Sequence, residues 1–224
     1  MMLDISSEAK KFYPDLLVGT LLIKNITNTY LNNEMNNASR VLEDDLRKKY
    51  GSLNRKKLNS TEVLKGYYTY CKRYTKTYHV LLQLESIVFK DKQIPSISPI
   101  VQSMFMGELK NHFLSSVHDF SYVEGPLVLG CSQGTEEFTF FNGEQKVLKK
   151  EDLYIQDQKG IISAVLYGMD ERTKVTEKTT EALYTVYVPF KMDQEKVLGH
   201  LEDMAKYLKL NDKNASVEEI RIYK

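Results

Sequence analysis

Cysteine is scarce in this 224-residue sequence: Cys71 and Cys131 are the only two. They can close at most one bridge, and neither belongs to a Cys-x-x-Cys pair or stands near clustered histidines. A disulfide scaffold and a cysteine-based zinc site are therefore set aside, and a reducing, cytoplasmic setting fits best. Long apolar runs are missing as well. No stretch approaches the roughly 18 residues a membrane helix needs, and residues 1–11 carry Asp4, Glu8, Lys10 and Lys11 without an apolar core, so they read as neither signal peptide nor anchor. There is no His-Glu-x-x-His pair, no phosphate-cradling glycine loop and no dinucleotide fingerprint. Zinc hydrolysis, nucleoside triphosphate use and hydride transfer lose their usual warrants, and no metal or cofactor is expected.

An excess of charge of one sign is the last absence. Thirty-one Lys and Arg stand against 30 Asp and Glu, so the total of +1 argues neither for nor against a polyanionic partner. What is present is ordinary globular usage, 42% hydrophobic and 27% charged residues, in a chain long enough to bury a core. The charge is unevenly placed. Residues 1–92 hold 16 basic and 10 acidic side chains, whereas 93–224 hold 15 and 20, so the chain is electrically two-sided.

Residues 16–26 form a continuous apolar run rich in branched side chains, which predicts a buried strand. Residues 27–37, with five asparagines and two threonines, predict a loop. Helical spacing follows over 38–50 and again over 60–88, where Val63, Tyr67, Tyr70, Tyr74, Tyr78 and Leu81 share one face behind a capping Ser60-Thr61-Glu62. Pro95 and Pro99 bracket an extended connector into an apolar helix over 100–113. Short strands are then predicted at 126–131, 137–141, 145–148, 153–156 and 161–167, with Asn142-Gly143 as a hairpin turn. A short helix near 176–182, a strand at 183–189, an amphipathic helix at 193–208 and a strand at 217–223 complete the pattern. With no repeat and no linker, the chain reads as one α+β domain with mixed and antiparallel sheets and flanking helices.

Between Leu46 and Tyr78 stand ten basic residues, Arg47, Lys48, Lys49, Arg55, Lys56, Lys57, Lys65, Lys72, Arg73 and Lys76, with one acid, Glu62, and six interleaved tyrosines. Cations neutralise phosphates and aromatic faces stack on bases, so this mixture suits RNA recognition. The competing reading is a solvated helix surface with its tyrosines in the core, and at this level the two weigh evenly. His118 and Asp119 lie beside Ser116, but neighbouring residues point apart on most backbones, so structural use outweighs a nucleophilic triad. Asp170-Glu171-Arg172 sits where a strand is expected to end and is more often a surface ion-pair group than a site.

Several segments in order are similar to a known family: Ile94-Pro-Ser-Ile-Ser-Pro-Ile-Val101, His118-Asp119, Val123-Glu124-Gly125, Phe141-Asn-Gly-Glu144, Asp152-Leu-Tyr-Ile155 and Glu171-Arg-Thr-Lys-Val-Thr-Glu-Lys-Thr179. Together, over about residues 15–189, they resemble the tRNA-editing domain of the phenylalanyl-tRNA synthetase β subunit, the B3/B4 type, with residues 190–224 as a helix-strand extension. The resemblance implies an α+β fold with sandwiched sheets and a freestanding relative of the editing domain. Its partner would be the aminoacylated acceptor end of tRNA, with no DNA or membrane partner. Hydrolysis of a mischarged ester in trans is one outcome. A catalytically silent RNA- or protein-binding module is the alternative.

Residue by residue, the family's pocket Thr-Asn pair falls on Met104 and Phe105, and its pocket histidine on Ser116. The glutamate that reads a tyrosine hydroxyl in the family falls on Glu171. His118-Asp119 is similar to the variant in freestanding relatives. By this correspondence Glu171 would contact the amino acid, Met104, Phe105 and Asp119 would shape its pocket, and Ser116 and His118 would flank the ester. Met104 and Phe105 would favour an apolar ligand or fill the cavity, so removal of tyrosine is expected to be slow.

Overall fold

The structure, a computed structural model, describes residues 2–224. In chain order its elements are β1 (Leu3–Ile5), α1 (Ser7–Phe12), β2 (Leu17–Lys24), α2 (Asn33–Tyr50), α3 (Arg55–Leu58), α4 (Glu62–Lys72), α5 (His79–Phe89), α6 (Pro99–Asn111) and β3 (Leu114–Asp119). There follow β4 (Leu127–Cys131), β5 (Glu137–Thr139), β6 (Gln145–Val147), β7 (Leu153–Asp157), β8 (Gly160–Ala164), β9 (Gly168–Met169), β10 (Ala182–Val188), α7 (Gln194–Asn211) and β11 (Ser216–Tyr223).

The apolar run of β2 is buried along all but its last residue, as a strand covered on both faces must be. It lies inside an antiparallel sheet ordered β11-β2-β10-β3, in which Thr185 of β10 stands opposite Ser116 of β3. A second sheet, β1-β4-β7-β8-β9, is mixed: β1 runs parallel to β4 and the other pairings are antiparallel. A β5-β6 hairpin stands apart, closed at Asn142-Gly143 with Gly143 at φ 88° and the Asn142 side chain accepting the Glu144 N–H. Alternation along β3 and β10 decides the layering. Ser115 and Tyr184 face the helices, bonding His200 of α7 and Ser103 of α6, whereas Ser116 and Tyr187 face the second sheet, bonding Ser163 of β8. Helices thus cover one face of the first sheet, and the second sheet covers the other. The α+β architecture is the one expected.

Three local expectations are corrected, and one unassigned segment gains an element. The helix over 60–88 is two helices, because α4 ends in a left-handed turn at Thr75 (φ 55°). The Lys76 N–H donates to the Cys71 carbonyl and the Thr75 N–H to the Lys72 carbonyl, which satisfies the helix end. Residues 27–37 are not all loop: the Asn32 side chain accepts the Met35 N–H at 2.9 Å and starts α2 at Asn33. No helix forms at 176–182, where the Thr179 hydroxyl accepts the Thr176 N–H and closes a turn instead. Residues 114–119, to which the sequence pattern assigned no element, are the fully buried strand β3.

Candidate functional site

Strand β3 turns Ser116 and His118 into the gap between the sheets, where both are buried. Ser116 Oγ lies 2.9 Å from His118 Nε2 and 2.7 Å from Thr185 Oγ1, and Ser163 Oγ approaches the same histidine nitrogen at 3.2 Å. On its other side His118 Nδ1 meets Thr173 Oγ1 at 2.7 Å, and the Thr173 hydroxyl donates to Asp170. Since that proton is committed to the carboxylate, Thr173 accepts from His118 Nδ1–H, which leaves Nε2 as an acceptor facing the two serines. The chain Ser116-His118-Thr173-Asp170 has the order of a nucleophile, base and orienting acid, with a hydroxyl inserted. Its basicity is poor. Burial, helped by the Arg172 charge, drives His118 down to about 3, so it is neutral at physiological pH and holds a proton weakly.

Ser116 also lines a cavity of about 240 Å³ whose walls include Met104, Phe105, Phe141 and Tyr187. Met104 is buried and Phe105 half-buried, and together they make the cavity apolar without filling it. The other residues assigned from the resemblance lie elsewhere. Glu171 is exposed, pairs with Lys174 at 3.5 Å and is not among the lining residues. Asp119 accepts the Ser121 N–H, which closes a turn, and the Thr179 hydroxyl (2.6 Å), which ties down a distant segment, and it is absent from the cavity wall. The triplet around Glu171 is divided in role. Asp170 belongs to the buried relay, and Arg172 clamps Asp157 through two bonds of 3.0 and 2.9 Å; against the raising effect of burial, this clamp and the backbone N–H groups of Glu124 and Lys159 together hold the Asp157 carboxyl below its usual range.

The basic residues separate into a groove and its surroundings. Arg55, Lys56, Lys65, Lys72 and Lys76 line an open groove of about 900 Å³ between α3, α4 and the start of α5, together with Tyr68, several hydroxyls and no acid. Tyr68, 40% exposed, offers an aromatic ring there, with the Lys72 ammonium 5.7 Å from its centroid. Of the other five tyrosines in this segment, Tyr50, Tyr67, Tyr70 and Tyr78 are core residues, and Tyr74 is half-buried against Tyr70. The stacking role read for the whole set therefore narrows to one ring. Arg47 is taken up in tying α2 to the end of α5, bonding the Ile87 and Lys92 carbonyls and pairing with Asp91 at 3.1 Å. Lys48, Lys49 and Lys57 are exposed but outside the groove, and Arg73 is caged by Tyr13, Tyr70 and Tyr74, 4.8 to 5.4 Å from each ring. Groove and cavity meet at one contact: Lys76 Nζ sits 4.0 Å above the ring of Tyr167, which lines the cavity.

Sequence reasoning missed Ser163, Thr173, Thr185, Tyr187 and Glu108. All but Thr173, which lies in a turn, leave a signal, since a polar residue inside an apolar strand or helix needs a buried partner. Among the described residues no group of three or more His, Cys, Asp or Glu could hold a metal ion, and no helix is long and apolar enough to cross a membrane.

An N-terminal fragment of the phenylalanyl-tRNA synthetase β-subunit from Pyrococcus horikoshii is similar over 99% of this chain, at 13% identity and a TM-score of 0.49. The chain spans 50% of that fragment's length. No curated protein matches. The B3/4 domain matches residues 65–208, from within α4 to within α7, and so takes in the buried relay, the cavity and much of the basic groove. The chain belongs to the B3/4 domain family.

Proposed function

We propose that the chain is a cytoplasmic tRNA-binding protein that holds the aminoacylated acceptor end, with phosphates along the basic groove and the amino acid in the apolar cavity. The observation that carries this reading is the junction at Lys76, where a cation that lines the groove stacks on a ring that lines the cavity. A charged backbone leading to an apolar terminal group is what an aminoacyl-tRNA end presents. Membership of the B3/4 family and the segments resembling an editing domain support tRNA as the nucleic acid. Two buried free thiols suit a reducing compartment. The test is binding of tRNA with an intact 3′ end against tRNA trimmed of its terminal unpaired nucleotides. Trimming is expected to weaken binding at least tenfold, and equal affinities would place the RNA elsewhere.

Hydrolysis of a mischarged ester in trans is a second reading, favoured by Ser116 in the cavity wall with His118 Nε2 beside it. A general base works best with a pKa near the operating pH, and His118 at about 3 lies far below it. The arrangement therefore supports binding ahead of cleavage. Under the second reading, Ser116→Ala and His118→Ala must each slow deacylation of a susceptible mischarged tRNA by about a hundredfold or more. Rates unchanged by both replacements would leave the pair a structural one.

A further inference from the structure

A second pocket, of about 630 Å³, adjoins the basic groove along α4. Glu62, Gly66 and, just past the helix, Arg73 line this pocket, Tyr68 and Lys72 line the groove, and Lys65 and Thr69 line both. The two sites are therefore continuous across that helix. Aromatic rings from distant segments form the rest of the wall: Phe12 at the end of α1 is 44% exposed and meets no other ring among the described residues, and Phe190 stands edge-on to the buried Tyr67, 5.0 Å between centroids. Phe190 is held close to α4 because residue 66 is glycine, where a Cβ would come within 2.5 Å of its ring. The charge is positive. Arg73 makes one hydrogen bond, from Nη2 to Tyr13 Oη at 2.5 Å, and neither it nor the exposed Lys65 forms an ion pair among the described residues. Glu62 is the one acid in the wall, and Lys196 neutralises it. The three tyrosines around Arg73 fix its guanidinium without cancelling its charge.

We infer that this pocket takes one of the unpaired nucleotides at the 3′ end of the bound tRNA, with its base stacked on Phe12 and its phosphate on Arg73. This deepens the tRNA-binding reading above and rests on it. A fixed, uncancelled guanidinium beside exposed aromatic surface matches the two halves of a nucleotide, an anion and a flat ring. The base must be an unpaired one, since only such a base has a face free to stack on a side chain. The volume agrees. About 630 Å³ lies within the range of sites for organic ligands and is far larger than a bare anion needs. Continuity selects the source, because a backbone that crosses α4 at Lys65 and Thr69 stays on cations from Lys72 to Arg73. The strand would thus leave the groove at two places, its terminal amino acid at Lys76 and an upstream base over the crest of α4.

The test uses the full chain and uncharged tRNA, intact or with an abasic nucleotide placed at each unpaired 3′ position in turn. One of these replacements is expected to weaken binding about tenfold, and Phe12→Ala should weaken binding of intact tRNA by a similar factor while removing the sensitivity to that replacement. Phe12→Tyr should bind like the parent and Phe12→Leu like Phe12→Ala, because stacking needs a ring. Phe12→Ala should leave the salt dependence unchanged, whereas Arg73→Gln should flatten its logarithmic slope by about 0.7 to 0.9, the share of one phosphate. A Phe12→Leu variant that binds like the parent would overturn the inference, as would a Phe12→Ala loss that adds in full to every abasic loss, or an unchanged slope in Arg73→Gln. Thermal stabilisation of the parent, but not of Phe12→Ala, by adenosine monophosphate, with tRNA affinity indifferent to Phe12, would assign the pocket to a free nucleotide and also overturn it. In each of these cases, tRNA binding that depends on an intact 3′ end would leave the earlier reading standing. Failure of the parent to bind any tRNA would remove both.

Discussion

Replacing Lys56, Lys65 and Lys72 together with glutamate is expected to weaken tRNA binding at least a hundredfold at low salt. The three line one groove that contains no acid, and all three are exposed. Each phosphate contact releases condensed counterions, which steepens the logarithmic salt dependence by about 0.7 to 0.9 per contact. Losing three contacts should therefore flatten the slope by about 2 to 3, and the introduced carboxylates add repulsion. None of the three lysines forms an ion pair, and only Lys72 approaches a ring, 5.7 Å from that of Tyr68. Stability should accordingly change little, since exposed charges contribute roughly 0–1 kcal/mol. Lys48 and Lys49, exposed on α2 but outside the groove, provide the control: reversing them should cost much less affinity. Filter binding of tRNA at several salt concentrations reads both quantities, and a triple variant that matches the parent in affinity and slope would rule out this groove as the RNA footprint.

Glu108→Gln is expected to change the pH dependence of stability by a few kcal/mol. Burial raises the Glu108 carboxyl from 4.5 to about 8, against the lowering effect of the Ser115 N–H. The folded protein therefore keeps a proton that the unfolded chain releases between pH 4.5 and 8, and this group costs the parent stability as pH rises through that window. Glutamine does not titrate. The variant should gain on the parent by up to about 1.4 kcal/mol per pH unit across the window, and the difference should level off above it. His118 and His200, both pushed by burial down to about 3, act in the opposite sense: they cost stability as pH falls below 6.5. They are present in both proteins and cancel in the difference. Urea unfolding at pH 5 and pH 9 checks the prediction, and a stability difference identical at the two pH values would show that Glu108 does not hold its proton in the fold.

Much of the secondary structure was legible because burial leaves a period in the sequence. The apolar run at 16–26 became β2, the spacing of Tyr67, Tyr70, Tyr78 and Leu81 marked buried positions correctly, and Asn142-Gly143 closed its hairpin. The same spacing missed the break at Thr75, because a side chain can stay in register with the core across two helices while the backbone between them turns left-handed. Asparagines at 32 and 33 read as loop formers because the side chain that competes with a helix in its interior is also the one that starts it.

The site divides along the same physical line. Ser116, Met104 and Phe105 were found by family correspondence and share one cavity, and the density of cations over 47–76 pointed to a basic surface. Local sequence could not say that Arg47 is occupied by Asp91 or Arg73 by Tyr13, since those partners stand just past the ends of α5 and α1, far along the chain. By itself the sequence determined the α+β class, the family, the apolar character at 104 and 105, and the two-sided charge. Only the tertiary structure decided that Glu171 lies outside the cavity, that Glu108 and Gln83 line it, and that groove and cavity meet at Lys76 and Tyr167. The reason is that periodicity and composition report how each residue meets solvent or core, whereas a hydrogen-bond partner or a shared cavity depends on which distant segments the two sheets bring face to face.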